Sequence, residues 1–482
     1  MRPKNEYKEF QLVLRVKNDK IITRKPIRLT KRSSNGCLNC KRKKIKCDET
    51  KDQCRRCLRS GMSCVWGPEK AKVVPKPEAQ NGQDLVPHVQ NLPLIRSLGS
   101  QVGEAPLDAM FFAFFTNGFL PTIAKPHFYE KLSSQGLLLS AADNSAALRE
   151  IYIACGASLA AREDVRCKDV AQRRYKKALE SFVKLMKHGR VNGYEDWFFV
   201  AVQVLQTLCL RDSFSGSNAT RCAAHFNAAY KVIAHRLFAE HCVRSPLEKM
   251  MIENFIFNYS ITIFYCEKAQ IEALIPNPFD FFAHANSKLN EMSLVDGSPQ
   301  TSRMSMQAFQ IAAKCSWSCR LHYPLSAADQ RLHWEMFSLA ETLLFSLDST
   351  NYDNNTVQVQ NTVYIAKVVL RASIILLRKM LFPGTRAVDL QDIVKAAVND
   401  ISQPCNEKVI FPIWALMIGA SASLDASCRR FFVRRLECLF SWSKSQIAKQ
   451  VVIHLEGLWE LYKNDEPFEL LFNSDVLDEV CR

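Results

Sequence analysis

Six cysteines near the beginning of the chain constrain its fold more than any other feature. Their spacing is C-x2-C-x6-C-x6-C-x2-C-x6-C, in which one C-x2-C-x6-C unit occurs twice. The cysteines are Cys37, Cys40, Cys47, Cys54, Cys57 and Cys64. Because the first residues contain no apolar run typical of a secretory signal, we expect a reducing compartment. We therefore interpret the cluster as a set of metal ligands rather than a disulfide framework.

The number of cysteines predicts two metal ions. A structural zinc ion takes four ligands in a tetrahedron, so six thiolates are too many for one ion. Two zinc ions need eight ligand positions, which six sulfurs supply if two of them bridge both ions. Because the spacing repeats, Cys37 and Cys54, the first cysteine of each unit, are the natural bridges. The predicted cofactor is two Zn²⁺.

The positive charge is concentrated at the same end of the chain. Of 482 residues, 64 are Lys or Arg and 48 are Asp or Glu, which gives a net charge of +16. Residues 1–64 hold 20 of these basic and six of these acidic residues, so they carry +14. Such an asymmetry indicates a nucleic acid or an anionic surface as partner.

Part of this charge lies between the second and third cysteines, at Lys41, Arg42, Lys43, Lys44 and Lys46. A short helix here would present the cations while Ile45 packs inward, and a helix fits the major groove of DNA. Lysine can donate to guanine O6 and N7, and the remaining cations can neutralise phosphates. The alternatives are a solvated face or a nuclear import signal, to which Arg24-Lys25 and Lys31-Arg32 would add.

These motifs resemble a known family. The stretch 36–47 is similar to the first half of the fungal zinc binuclear cluster (Zn₂Cys₆) family of DNA-binding proteins, and Cys54-Arg55-Arg56-Cys57 is similar to the start of its second half. The resemblance implies one zinc ion held by Cys37, Cys40, Cys47 and Cys54, and another held by Cys54, Cys57, Cys64 and Cys37. One position departs from the family: Asp52 stands where most members carry a proline, which should loosen the loop.

The resemblance also implies how DNA is contacted. Lys43 and Lys44 match the positions that read a CGG-type triplet, and Lys46 matches a phosphate contact. We expect three arginines of the second half to lie beside the DNA backbone. The predicted DNA-contacting residues are Lys41, Arg42, Lys43, Lys44, Lys46, Arg55, Arg56 and Arg59.

We predict four regions along the chain. Residues 1–36 form a basic arm, with a small hairpin within 10–23; residues 37–64 form the DNA-binding cluster; residues 65–106 form a linker punctuated by proline; and residues 107–482 form a helical body. The linker shows no heptad pattern, so we expect no coiled coil there.

The body is predicted to be all-α, because glycine is scarce and apolar residues recur at helical spacing. Two of its apolar stretches, 363–382 and 409–424, are interrupted by charge or too short to span a membrane, and we interpret both as buried helices. The predicted helices are 144–162, 175–186, 196–210, 222–236, 247–267, 307–320, 327–347, 363–382, 389–399, 409–424, 427–440 and 445–462.

Four stretches of the body, 147–160, 175–179, 225–233 and 414–420, resemble the regulatory domain common in one branch of the same fungal transcription factors. This resemblance implies an all-α domain with a ligand- or partner-responsive role. The body contains no G-x-G-x-x-G, P-loop, H-E-x-x-H or G-x-S-x-G motif, so we expect no enzyme.

Several groups of residues in the body allow two structural or functional interpretations. Cys315, Cys319 and His322 could face one way on a helix, but no fourth ligand is evident, and we interpret them as core. We interpret His225 as structural rather than as a base or ligand. The aromatic groups at 111–115 and 279–282 either line an apolar pocket or belong to the core, and residues 465–482 are either an acidic activation segment or a terminal helix docked on the body.

Together these features predict a nuclear, zinc-dependent transcription factor that regulates RNA polymerase II genes. Its predicted partners are double-stranded DNA and the transcription machinery or co-regulators, with no membrane. A homodimer and a small-molecule effector stay open. The alternative is a helical metabolite sensor or protein-interaction protein in which the zinc cluster is an accessory.

Overall fold

The computed structural model divides into two compact units, Met1–Val102 and Gly103–Arg482. It describes residues 37, 40, 47, 48, 50, 53–59, 63, 104–123, 134–143, 145–187, 194–211, 218–237, 245–291, 299–352, 355–406, 409–443, 445–461 and 466–480. All regular structure among these residues is helical, which confirms the all-α prediction. The hairpin predicted within 10–23 lies outside the described residues.

The described helix of the first unit is α1, Arg55–Arg59. Those of the first half of the second unit are α2 (Glu104–Phe114), α3 (Leu120–Ile123), α4 (Ser134–Ser140), α5 (Ala146–Glu163), α6 (Lys168–Lys187), α7 (Asp196–Arg211), α8 (Asn218–Leu237), α9 (Pro246–Tyr265), α10 (Lys268–Leu274) and α11 (Pro278–Glu291). A π-helical turn at Phe115–Phe119 joins α2 to α3, and a 3₁₀ turn at Val165–Cys167 precedes α6.

The remaining described helices are α12 (Pro299–Leu321), α13 (Ala327–Ser349), α14 (Val357–Leu381), α15 (Gln391–Ile401), α16 (Ile413–Ser421), α17 (Ala426–Ser443), α18 (Gln446–Leu461), α19 (Glu466–Glu469) and α20 (Ser474–Val480). Three 3₁₀ turns lie between them, at Ala387–Leu390, Pro404–Asn406 and Leu470–Phe472. The most extensive packing between helices is that of α5 with α6, α12 with α14, and α7 with α8.

Several helices begin where a hydroxyl side chain accepts a backbone N–H that the helix itself cannot satisfy. Ser145 accepts from the N–H of Leu148 at 3.2 Å before α5, and Thr356 accepts from that of Val359 at 3.4 Å before α14. Such caps satisfy one of the four free N–H groups at a helix start. They therefore explain why these helices start where they do.

Helix α14 is a long helix of the core that is buried on most of its surface, and its cations are paired. Lys367 contacts Asp348 at 2.9 Å, and Arg371 contacts both Asp348 at 3.1 Å and Asp400 at 2.7 Å. Pairing offsets the cost of removing these charges from water, so the helix can be buried on most of its surface. None of the helices in the described part of the chain is long and apolar enough to cross a membrane.

The backbones of α2 and α5 touch at a glycine. A methyl group on Gly156 would overlap the carbonyl of Phe111 and lie 2.9 Å from the backbone N of Phe115. Both phenylalanines are fully buried, and Phe115 stacks on Tyr152 with ring centroids 4.0 Å apart. The aromatic group at 111–115 therefore contributes to a close-packed helix pair, as core rather than as a pocket wall.

The observed helices extend several of the predicted ones. Helix α14 begins at Val357 rather than at 363, because Thr356 caps it where polar side chains interrupt the apolar spacing. Helix α2 begins at Glu104, so the body starts before residue 107. Pro106, which we assigned to the linker, lies in the first turn of α2, where its missing N–H has no helical acceptor to lose.

Helix α11 lies where the apolar spacing made no prediction. Asn277 provides its cap, since its side-chain oxygen accepts from the N–H of Phe279 at 2.9 Å, and Pro278 occupies the first turn. A cap residue followed by proline is a helix-start signal that periodicity does not capture. Phe281 and Phe282 on this helix are buried, so they too belong to the core.

The C-terminal segment is docked on the body. Its buried side chains are those of Phe468, Leu471 and Leu477. The sulfur of Cys319, on α12, lies 3.5 Å from the carbonyl oxygen of Leu471. Of the two alternatives for residues 465–482, the described part, 466–480, has the docked terminal helices.

Candidate metal centre

The five cysteines of the cluster that the structure describes lie together and are buried: Cys37, Cys40, Cys47, Cys54 and Cys57. The sixth predicted ligand, Cys64, lies outside the described residues. The sulfurs of four of the five, all except that of Cys47, lie within 4.8 Å of one another, and the sulfur of Cys47 lies within 4.8 Å of that of Cys54. Residues separated by up to 20 positions in the chain thus converge on one point.

The sulfur–sulfur distances match those around zinc. Cys37 Sγ lies 3.9 Å from Cys54 Sγ and 3.7 Å from Cys57 Sγ, and Cys40 Sγ lies 3.7 Å from Cys54 Sγ. A tetrahedron with Zn–S bonds of about 2.3 Å has sulfurs about 3.8 Å apart. The cysteines present therefore fit a zinc–thiolate group.

Two cysteines, Cys37 and Cys54, each contact two sulfurs of the other repeat unit. Cys37, of the first unit, contacts Cys57 of the second, whereas Cys54, of the second, contacts Cys40 of the first. Cys37 and Cys54 also contact each other. This is the arrangement expected of the two sulfurs that would bridge a pair of ions.

The start of α1 depends on Cys54. The backbone N–H of Cys57 donates to Cys54 Sγ at 3.4 Å, and the N–H of Leu58 donates to the Cys54 carbonyl at 3.0 Å. The sulfur therefore occupies the position of a helix N-cap acceptor. The helical turn that begins at Arg55 therefore brings the sulfurs of Cys54 and Cys57 close together.

Asp48 organises the loop between the two repeat units. Its Oδ2 accepts from the backbone N–H of Arg55 at 3.2 Å and from Thr50 Oγ1 at 3.0 Å. Partial desolvation acts to raise the pKa of Asp48, but the hydrogen bonds from Arg55 and Thr50 outweigh it and lower the pKa. Asp52, which departs from the family pattern, lies outside the described residues.

Asp48 is a site residue that our sequence reasoning missed. The signal was an acidic residue directly after the third cysteine and seven positions before the first residue of α1, Arg55. Its hydrogen bonds tie the two halves together on either side of position 52.

Burial in the cluster disfavours a thiolate that has no positive charge beside it. Burial, followed by hydrogen bonds with Cys37, Cys54 and Cys47, raises the pKa of the Cys40 thiol above its usual range. A thiolate in this place therefore needs positive charge beside it, which Zn²⁺ supplies. When bound, the ions would be held by these sulfurs and would fold this part of the chain around themselves.

The predicted DNA-contacting residues are only partly described. Lys41, Arg42, Lys43, Lys44 and Lys46 lie outside the described residues, as does the side chain of Arg56. On α1, the side chains of Arg55 and Arg59 are exposed, and Arg55 approaches Asp48 at 4.0 Å with 84% of its side chain exposed. Both arginine side chains are therefore accessible to solvent.

Of the other candidate residues, Cys315, Cys319 and His225 are in the core of the body, whereas His322, which we interpreted as core, is exposed just after the end of α12. Cys315 and Cys319 are buried, and burial raises the pKa of both thiols, to about 12 for Cys319. The third member, His322, accepts from Trp317 Nε1 at 3.2 Å. His225 is buried, and its pKa is lowered to about 3 by desolvation and by Arg221 nearby, so the ring is neutral.

Comparison with known proteins identifies the first unit. The family model described as the fungal Zn(2)-Cys(6) binuclear cluster domain matches residues 35–72. The chain is 57% identical over 35 residues to the transcription factor lfc1 of Flammulina velutipes, a match that covers 7% of this chain and 12% of that protein. It is 36% identical over 78 residues to the transcriptional regulatory protein moc3 of Schizosaccharomyces pombe, covering 15% of each chain.

A further relative is the zinc cluster transcription factor CZF1 of Candida albicans, 38% identical over 60 residues, which are 12% of this chain and 15% of that protein. The chain therefore spans only a small part of the length of the curated relatives it matches. No solved structure matches the chain.

A domain of the matching family binds two zinc ions, so the cofactor predicted from the number of sulfurs is confirmed. The resemblance seen in the cysteine spacing and the convergence of the described sulfurs agree with the family match. Residues 35–72 of the chain are a fungal Zn(2)-Cys(6) binuclear cluster domain.

Proposed function

We propose that this protein is a zinc-dependent, sequence-specific DNA-binding transcription factor that acts on RNA polymerase II genes in the nucleus. The observation that carries the proposal is the convergence of the cluster sulfurs beside a concentration of positive charge. The names of the matched relatives, which are transcription factors and regulators, support it.

In this proposal all six cysteines are zinc ligands. One ion takes Cys37, Cys40, Cys47 and Cys54, and the other takes Cys54, Cys57, Cys64 and Cys37. The contacts of Cys37 and Cys54 across the two repeat units support their role as the shared ligands.

The basic run performs the recognition. Lys43 and Lys44 would donate to guanines of a CGG-type triplet in the major groove, and Lys46 would contact a phosphate. Lys41, Arg42 and the α1 arginines would fix the orientation of the domain on the backbone, and the exposure of Arg55 and Arg59 supports this role.

The helical unit would regulate the DNA-binding unit through co-regulators, a second copy of the chain or a small-molecule effector. The competing candidate is a helical sensor or interaction protein in which the cluster only stabilises the fold. The two differ in one property, because only the first requires specific, zinc-dependent contact with DNA.

A gel mobility-shift titration separates the two candidates. We expect the full chain to shift a CGG-containing duplex, and a chelator to abolish the shift. Lys44→Ala should weaken binding about 10- to 100-fold, the effect of one lost base contact. Lys395→Ala, an exposed lysine of α15, is the matched control and should bind as the wild type does. A shift indifferent to Lys44 and to zinc would defeat the proposal.

Selection from random DNA tests the oligomeric state. A single CGG in the selected sequences would indicate that a monomer binds. Two CGG triplets at fixed spacing and orientation would indicate a homodimer, since half-site geometry mirrors protein symmetry.

A further inference from the structure

A cleft of about 380 Å³ lies between α17 and α18 in the second unit. This volume is within the range of about 300–1,000 Å³ typical of small-molecule sites. Its charged and aromatic lining consists of Arg429, Arg430, Arg434 and Glu437 from α17 and Glu456 and Trp459 from α18. We call it the α17–α18 cleft.

The arginines of this cleft have no acidic partner in the part of the chain that the structure describes. Arg429 donates from Nε to the carbonyl oxygen of Ser423 at 2.8 Å, and its guanidinium lies 5.1 Å from the centre of the Trp459 ring. Neither Arg430 nor Arg434 is within ion-pair distance of a described carboxylate. Other arginines of the second unit, such as Arg371, are paired.

Three arginines against two glutamates leave the cleft with an excess of positive charge. Burial lowers the pKa of Arg429, with no carboxylate to offset it. Arg430 and Arg434 are one helical turn apart, where like charges repel. Three guanidinium groups therefore line one region of limited volume.

We propose that the α17–α18 cleft binds a small organic phosphate monoester. The guanidinium groups of Arg430 and Arg434 present forked donors that match phosphate oxygens, and Arg429 adds a third positive charge. The ring of Trp459 and the side chain of Val433 provide apolar surface for the body of the molecule.

The two carboxylates of the cleft favour a small ligand over nucleic acid. Glu437 and Glu456 line the same space as the arginines. A continuous phosphate backbone would be repelled by both, whereas a single phosphate can be held by the arginines while hydroxyl or amino groups of the ligand donate to the carboxylates. The inference does not depend on the DNA-binding function, because it concerns residues of the second unit alone.

Isothermal titration of the full chain with phenyl phosphate tests the proposal. We expect saturable binding, and binding about tenfold weaker or more in Arg430→Gln and in Arg434→Gln, since each removes a charge-assisted hydrogen bond. Both side chains are exposed, so the variants should fold. The matched control is Arg331→Gln, which removes an exposed arginine of α13 and should leave the affinity unchanged.

Two further ligands define the chemistry. Inorganic phosphate should bind more weakly than phenyl phosphate, and Trp459→Leu should remove that difference. A phosphoserine peptide that binds while phenyl phosphate does not would overturn the assignment to a small molecule. No heat of binding at millimolar phenyl phosphate, or equal losses in the Arg331→Gln control, would overturn the site itself.

Discussion

Cys54 combines more roles than any other residue that the structure describes in the first unit. Its sulfur contacts two sulfurs of the first repeat unit, those of Cys37 and Cys40, and it also accepts the N–H of Cys57 at the start of α1. Ligand geometry and helix start are therefore coupled through one atom. The spacing of the cysteines indicates the ligation, but only the structure displays the hydrogen bond and the contribution of Asp48.

In the second unit, the close helix contact at Gly156 gives a prediction at the scale of a single residue. Gly156→Ala should lower the free energy of unfolding by about 1–3 kcal/mol, because the added methyl group forces α2 away from α5. Urea denaturation monitored by circular dichroism measures it. Gly457→Ala is the matched control: nothing lies near its added Cβ, so it should raise stability by up to about 1 kcal/mol. Equal effects at both glycines would contradict the close helix contact.

The buried ring of His225 predicts how the stability of the fold depends on pH. Its folded pKa, about 3, is below the ordinary value of 6.5 that it has when unfolded. The contribution of the neutral His225 ring to the free energy of unfolding is therefore fully present above pH 6.5. It is lost as the pH falls, because the unfolded state binds the proton first. Between pH 7.5 and 5.5 the wild type should lose about 1.4 kcal/mol more stability than His225→Gln. Parallel pH profiles for the two proteins would contradict a buried neutral ring.

At the scale of elements, apolar periodicity was sufficient for the long helices and insufficient for their ends. Helix α6 and helix α7 occur where a regular apolar face predicts them. The starts of α2, α11 and α14 depend instead on Pro106, on Asn277 with Pro278, and on Thr356, which are local backbone effects. Sequence composition alone also left the C-terminal segment ambiguous, because its docking depends on partners far away in the chain.

The docked C-terminal helix α20 is held by a buried charge. The side chain of Arg320 is fully buried and donates to Asp478 and to the carbonyl oxygen of Cys266 at 2.8 Å. Asp478 also accepts the backbone N–H of Lys268 at 3.1 Å, at the start of α10. One carboxylate thus joins the C-terminal segment to α10 and α12.

Replacing this carboxylate should release the segment. Asp478→Asn leaves the charge of Arg320 buried without an ionised partner, which should cost about 3 kcal/mol. Asp475→Asn, on the exposed side of α20, should change stability by no more than about 0.5 kcal/mol. Urea denaturation gives the difference, and limited proteolysis should show earlier cleavage within 466–480 in Asp478→Asn. Identical stabilities and cleavage times for the two variants would contradict the docking.

At the scale of the whole molecule, the two units divide the charge. Residues 1–64 carry +14 of the total of +16 and include the cluster, whereas the rest of the chain is nearly neutral. Because this division can be read from composition, the location of the proposed DNA binding is predictable without coordinates. The positions of the α17–α18 cleft and of the buried ion pairs are not, since they depend on how distant helices pack.

The charge division predicts how DNA affinity depends on salt. The logarithm of the association constant should fall with the logarithm of salt concentration by roughly 0.9 for each phosphate neutralised. Residues 1–102 and the full chain should give the same slope, because the nearly neutral second unit adds few phosphate contacts. Fluorescence anisotropy between 50 and 300 mM KCl, roughly the range over which such slopes are resolved, measures both. A much steeper slope for the full chain would contradict the division.

The most direct test of the account is the metal content of the intact chain, measured by native mass spectrometry. Six thiolates with two of them shared should hold two Zn²⁺ per chain, and the mass should correspond to cysteines without disulfides. Cys54→Ala should lose zinc, because that sulfur is assigned to both ions. A wild-type chain that carries one zinc ion or none, or whose mass shows disulfides among these cysteines, would contradict the binuclear cluster.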